Sequence, residues 1–239
     1  MLATARRVLT QLWHDPRTVA LLLVVPCALL ALLAWVFEGS PQTFDRIGPA
    51  LLAVFPLTTM FVVTSVATLR ERTSGTLERL LTMPIAKGDV LLGYALAFGA
   101  VALAQTALAG AVALGPLGLA VDGSPWLLVL VALTAALLGN ALGLFASAFA
   151  ATEFQAVQFL PAFVLPQLLL CGLFVPRELM PRALELASGA LPLTYAVDGV
   201  QRAAATGGSA RALTDVAVVA GFSVVAVALA AVSLRRRTP

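Results

Sequence analysis

The chain has 239 residues, 60% of them hydrophobic and only 11% charged, with a formal net charge of +3 and a mean hydropathy of +0.98. Soluble domains carry about 25% charged residues, so a surface this poor in charge cannot be solvated by water, and lipid is the natural solvent. That excludes an ordinary soluble enzyme or binding module.

Residues 1–17 precede the long apolar runs. Leu2, Ala5, Leu9, Leu12 and Trp13 fall on one helical face, while Arg6, Arg7 and Gln11 lie mostly off it. The pattern predicts an amphipathic helix lying in a membrane interface with Trp13 at headgroup depth; the plain alternative is a basic leader. A cleaved signal peptide does not fit. The apolar run that follows has 20 residues and no small-x-small site closes it, against about 7–15 residues for a signal core.

Six uncharged stretches can be marked: 18–37, 47–69, 90–115, 126–150, 154–176 and 216–234. A bilayer core needs about 20 helical residues, and none of the six contains Lys, Arg, Asp, Glu or His. They predict an all-α integral membrane protein with six transmembrane helices in one domain over 1–239. With the N-terminus inside, the inside segments carry Arg6, Arg7, Arg17, Arg70, Arg72, Arg79, Lys87, Arg235, Arg236 and Arg237. The outside segments carry only Arg46, Arg177, Arg182, Arg202 and Arg211. The positive-inside rule therefore places both termini in the cytoplasm.

The connections are unequal. Gly118, Asp122, Gly123 and Pro125 make a simple external turn between the third and fourth stretches. Segment 177–212 is not polar: Leu179, Leu184, Leu186, Leu191, Leu193, Val197 and Val200 are spread through it. It is costly in water and too interrupted to span, so one or two short helices re-entering the outer leaflet fit it. In the fourth stretch Ala135, Gly139, Gly143 and Ser147 recur at four-residue intervals, a spacing that lets two membrane helices pack closely. In the fifth, Pro161 and Pro166 remove two backbone donors and predict a kink, either a moving part or one fixed by packing.

Several chemistries are missing from the sequence. The only histidine, His14, precedes the first apolar stretch, and there is no HExxH, which argues against an intramembrane protease. Cys27 and Cys171 sit in apolar runs without a CxxC pair and read as small buried hydrophobes. No cluster has metal-ligand spacing. No G-x-x-x-x-G-K-[ST] occurs, so this chain does not cradle ATP phosphates and is not expected to be an enzyme by itself. An ion-coupled carrier normally needs ionisable groups at membrane depth, and the six stretches hold none. If the chain moves a solute uphill, the energy has to arrive from elsewhere, with an ion-coupled carrier as the less favoured alternative.

The candidate entry is the charged loop 70–89. Between Thr73 and Met83 it reads as a helix of about three turns, with Thr73 or Ser74 as cap and Leu77, Leu80 and Leu81 on one apolar face. Pro84 stops it. The plain alternative is a solvated loop whose arginines only set topology.

Two motifs carry a resemblance. The first is Glu71-Arg72-Thr73-Ser74-Gly75-Thr76-Leu77-Glu78-Arg79-Leu80 with Pro84 following; the second runs from Cys171-Gly172-Leu173-Phe174-Val175-Pro176 through Leu179, Pro181 and Leu191-Pro192-Leu193-Thr194-Tyr195-Ala196-Val197-Asp198 to Arg202. Together they resemble the type-2 ABC transporter permeases, the drug-resistance and antibiotic-export group in particular. The first is similar to that family's coupling helix, the second to its external re-entrant segment. Two departures stand out: Leu191 precedes Pro192 where Asn is commoner, and Cys171 replaces a small Ser.

The resemblance implies a permease subunit in a bacterial cell membrane, exporting an apolar or amphipathic drug, natural product or lipid. It implies a separate ATPase subunit holding ATP and Mg, and a second permease chain, identical or related. Coupling would fall to Glu71, Arg72, Gly75, Thr76, Leu77, Glu78, Arg79, Leu80 and Pro84, and the external gate to Gly172, Pro176, Pro192 and Tyr195. Thr58, Thr64, Ser65, Gln105, Asn140, Gln158 and Gln167 are the polar candidates to line a path, or else to bond neighbouring helices. A membrane anchor or regulatory subunit of an ATPase complex would share the docking loop without needing a path.

Overall fold

A computed structural model describes residues 1–74 and 87–233 of the chain. Gly75, Thr76, Leu77, Glu78, Arg79, Leu80 and Pro84 of the expected coupling helix lie outside the described residues, as do Arg235, Arg236 and Arg237. Every element among the described residues is helical. They are α1 (Leu2–Trp13), α2 (Pro16–Val36), α3 (Pro41–Thr73), α4 (Lys87–Leu114), α5 (Pro125–Ser147) and α6 (Glu153–Leu170). A 3-10 turn (Arg177–Leu179), α7 (Arg182–Gly189), α8 (Pro192–Ala204) and α9 (Ser209–Ser233) complete the order. α2, α3, α4, α5, α6 and α9 are each long and apolar enough to cross a membrane.

Local signals explain where helices begin. Asp15 caps α2 by accepting from the Thr18 amide and hydroxyl, with Pro16 at the first helical position. Those bonds from Thr18 hold the Asp15 carboxyl below its usual range. Ser124 caps α5 ahead of Pro125. Thr152 caps α6 through the Gln155 amide, and the Gln155 side chain reaches back to the Ala151 amide, a variant of the capping box.

Several boundaries differ from the sequence expectation, each for a physical reason. α3 is 33 residues long, about 50 Å at 1.5 Å per residue, and so outreaches an apolar core of about 30 Å at both ends. It carries Asp45 and Arg46 near one end and Arg70, Glu71 and Arg72 in its last turn. Thr73, expected to open a new helix, belongs to α3: its hydroxyl donates back to the Leu69 and Arg70 carbonyls. α6 stops at Leu170 rather than at residue 176, because Gly172 turns the chain with a φ of 90°, which side chains disfavour. α9 starts at Ser209 rather than at residue 216, and Asp215 in its first turns is buried against Arg202.

Two helices form the centre. Buried residues make up 72% of the apolar window of α5 and 56% of that of α3, against 17% for each of α2, α6 and α9. The contact between α3 and α5 is the most extensive in the bundle. It is made close by the small residues on α5: a Cβ at Gly139 would strike the Leu57 carbonyl oxygen of α3, and one at Gly143 would sit 2.6 Å from the Phe61 carbonyl oxygen. Two apolar clusters sit on this pair. One holds Phe44, Leu52, Leu128, Leu193, Val197 and Val219 and is closed by α8; the other holds Ala5, Val8, Met60, Tyr94, Phe98 and Leu144 and is closed by α1.

Backbone carbonyls cannot step aside as side chains do, so Gly139 tests the contact directly. Gly139→Ala lowers the thermal unfolding midpoint in detergent, and Gly139→Leu lowers it further, by overpacking worth about 1–3 kcal/mol. Gly221→Ala on α9, where an added Cβ meets nothing within 4 Å, leaves the midpoint unchanged or raises it.

Candidate functional site

The α1 end of the bundle gathers the motif residues that lie in α3. Arg70, Glu71 and Arg72 are consecutive, so their side chains fan out at about 100° steps around the helix. Arg70 grips Glu153, the first residue of α6, with Nε and Nη2 donating at 2.6 and 2.9 Å. The Glu71 carboxylate accepts from Arg7 of α1 at 3.0 Å, and the same guanidinium nitrogen donates to the Tyr94 hydroxyl of α4 at 2.7 Å. Arg72 donates to the Ser147 carbonyl at 2.6 Å and to the Ala150 carbonyl, where α5 ends. A cation there meets the negative end of the α5 dipole.

α1 packs on α4 through Thr4, Ala5 and Val8, with Leu9 and Leu12 partly covered, while Leu2 and Trp13 stay exposed. The apolar arc read from the sequence is therefore divided between the protein and the outside. Arg7, read as lying off the apolar face, is half-buried and paired. Sequence spacing held no signal for that pairing, since Arg7 and Glu71 are 64 residues apart.

The opposite end carries a second charged array. Arg177 donates to the Ser188 hydroxyl at 3.0 Å and lies 3.2 Å from Asp198; Arg202 lies 3.3 Å from the same carboxylate and 2.5 Å from Asp215. Together they stitch the 3-10 turn, α7, α8 and α9. Burial pushes the Asp198 carboxyl above its usual range, against the pull of Arg202 and Arg177. A cavity of about 710 Å³ opens beside this array, lined by Asp45, Arg46, Gly172, Pro176, Arg177 and Arg202 among others. The four residues expected at a gate lie along the same segment. Gly172 makes the turn after α6, Pro176 precedes the 3-10 turn, Pro192 opens α8, and the Tyr195 hydroxyl donates to the Gly189 carbonyl at 2.7 Å. No local sign in the sequence shows that Arg177, Asp198, Arg202 and Asp215 meet as one array. Only the Asp198–Arg202 pair has a spacing, i,i+4, at which neighbours on a helix can be read from sequence.

The polar residues proposed to line a path are placed as follows. The Thr64 hydroxyl donates to the Asn140 carbonyl oxygen at 3.2 Å, and the Asn140 amide donates to the Ala95 carbonyl at 3.0 Å, joining α3, α5 and α4. Gln105 donates to the Leu22 carbonyl and to the Thr59 hydroxyl, tying α4 to α2 and α3. Gln167 donates to Phe163 in its own helix and accepts from the Leu193 amide, supplying from α6 the cap that α8 lacks. Ser65 and Thr58 bond back to the Val62 and Phe55 carbonyls within α3. Gln158 is exposed on α6. Thr64, Ser65, Gln105, Asn140 and Gln167 are buried.

Among the described residues, a helical bundle with six candidate spans, short helices at both ends and ion pairs gathered at those ends is the architecture of a multi-pass membrane protein. The model of the ABC-2 type transporter family matches residues 1–204, and the chain belongs to that family. It is similar to the probable multidrug ABC transporter permease YbhR of Escherichia coli K12, 30% identical over 153 residues, which cover 63% of this chain and 41% of that protein. It is also similar to the inner membrane transport permease YhhJ of the same strain, 28% identical over 141 residues covering 59% of this chain and 38% of that protein. ABC transporter G family member 20 of Dictyostelium discoideum is 24% identical over 160 residues, covering 66% of this chain and 22% of its own length. The match thus spans about two fifths of the length of the two bacterial relatives.

The Asp215 carboxylate is 6% exposed and forms an ion pair with Arg202. Arg202→Gln leaves a buried charge uncompensated and destabilises by about 3 kcal/mol, read as a lowered unfolding midpoint in detergent. Adding Asp215→Asn removes the stranded charge and restores most of the loss.

Proposed function

We propose that this chain is the transmembrane permease subunit of an ATP-driven exporter. The family match over residues 1–204 carries the reading, and the similarity to YbhR, a probable multidrug ABC transporter permease, and YhhJ, an inner membrane transport permease, supports it. The substrate class that fits is apolar or amphipathic, a drug, natural product or lipid, because the apolar stretches hold no ionised side chain. A separate ATPase subunit, holding ATP and Mg, docks on the part of the coupling motif that follows Thr73, as far as Pro84. There Leu77 and Leu80 seat in its groove, and Glu78 and Arg79 form the polar rim.

Two permease chains, identical or related, complete the transporter. α2, α6 and α9 leave most of their apolar surface uncovered within one chain, which leaves room for a second copy as well as lipid. Both termini face the cytoplasm of a bacterial cell, by the distribution of arginine. α1 lies in the inner interface, a placement supported by Leu2 and Trp13, 80% and 81% exposed. The segment from Gly172 to Tyr195, on the outer side, forms the gate, while Thr64, Gln105 and Asn140, bonded across helices, serve to hold the bundle together.

Glu78→Lys and Leu80→Asp test the docking assignment. Each reduces the amount of ATPase that co-purifies with the chain, together with ATP-dependent efflux, while the permease still inserts in the membrane. Full capture and full efflux by both variants would place the docking surface elsewhere.

A further inference from the structure

Resting on the reading that an ATPase drives the chain from the segment after Thr73, we propose that Arg70, Glu71 and Arg72 form a three-way junction. It passes motion at that end of α3 to α1, α5 and α6 together.

Covalently, motion of the segment after Thr73 reaches only α3, which ends there, and α4, which starts at Lys87. Side-chain bonds extend it. Glu71 and Tyr94 meet on one nitrogen of Arg7, so α1 is held by both helices that flank the segment. If α3 and α4 move as a unit, α1 follows them. If they move apart, Arg7 has to release one of its two partners.

The other two arms grip the connection between α5 and α6 from both sides. Arg72 holds the carbonyls of Ser147 and Ala150, and Arg70 holds Glu153 through a two-pronged contact. A guanidinium at the end of α5 and a carboxylate in the first turn of α6 both suit the helix dipoles, so each arm has a fixed docking geometry. The Arg70–Glu153 pair is largely exposed and adds little to stability. Its value lies in direction: with Arg72, it makes the short link of residues 148–152 follow the end of α3.

The test separates the junction from docking. The full chain, with Cys27→Ala and Cys171→Ala, carries nitroxide labels at Trp13→Cys on α1 and Val224→Cys on α9, and is purified with its ATPase. Both label sites are exposed, and none of the bonds above runs to α9. The distance between the labels is measured by pulsed electron resonance, without nucleotide and after trapping with ATP and vanadate.

Trapping shifts the distance in the parent chain. Glu71→Gln abolishes that shift while the ATPase still co-purifies, and the swap Arg7→Glu with Glu71→Arg restores it. A full shift in Glu71→Gln, or no shift in the parent, overturns the junction. So does loss of the ATPase in Glu71→Gln that the swap does not repair, since Glu71 would then act in docking. A parent chain that captures no ATPase sinks the permease reading itself, and the junction with it.

Discussion

The bundle depends on one close approach, that of α5 against α3 at Gly139 and Gly143. Between helices in lipid, burial from water supplies no drive, because lipid tails are as apolar as leucine; contact and geometry have to hold the pair. Removing two side chains lets the α5 backbone lie against the carbonyls of Leu57 and Phe61. At that spacing the Thr64 hydroxyl can reach Asn140, and Asn140 in turn reaches α4. The central pair is thus fixed first by shape and then by direction.

Around that pair, charge is sorted to the ends. No side chain in the six apolar stretches is ionised, while each end of the bundle holds an array in which arginines meet carboxylates or helix-terminal carbonyls. The arrays differ in character. At the α1 end they join helices far apart in sequence. At the other end they stitch a continuous run from Arg177 to Asp215 and hold two short helices in place.

Much of this was legible in the residues. The six apolar stretches, the short helices between the last two spans and the small-residue stripe could be read because each is a local property: run length, interruption or four-residue spacing. The ends of α3, α6 and α9 were not legible, because apolar run length marks where lipid contact ends and not where the helix does. Arg70, Glu71 and Arg72 continue α3 since their charge is answered by Glu153, Arg7 and the end of α5, none of them nearby in sequence. In the same way, Gln105, Asn140 and Gln167 could be recognised as polar residues among apolar ones, but their partners on other helices could not. Partner choice is a tertiary property.

Gln167 shows how such a pairing orders events in time. α8 opens with Pro192 at its first helical position and no capping side chain of its own, and the buried amide donor of Leu193 is answered by the Gln167 side chain of α6. The acceptor therefore emerges from the ribosome 26 residues before the donor it serves. α6 can stand in the bilayer before α8 is complete, so the acceptor is in place for the Leu193 amide as α8 forms.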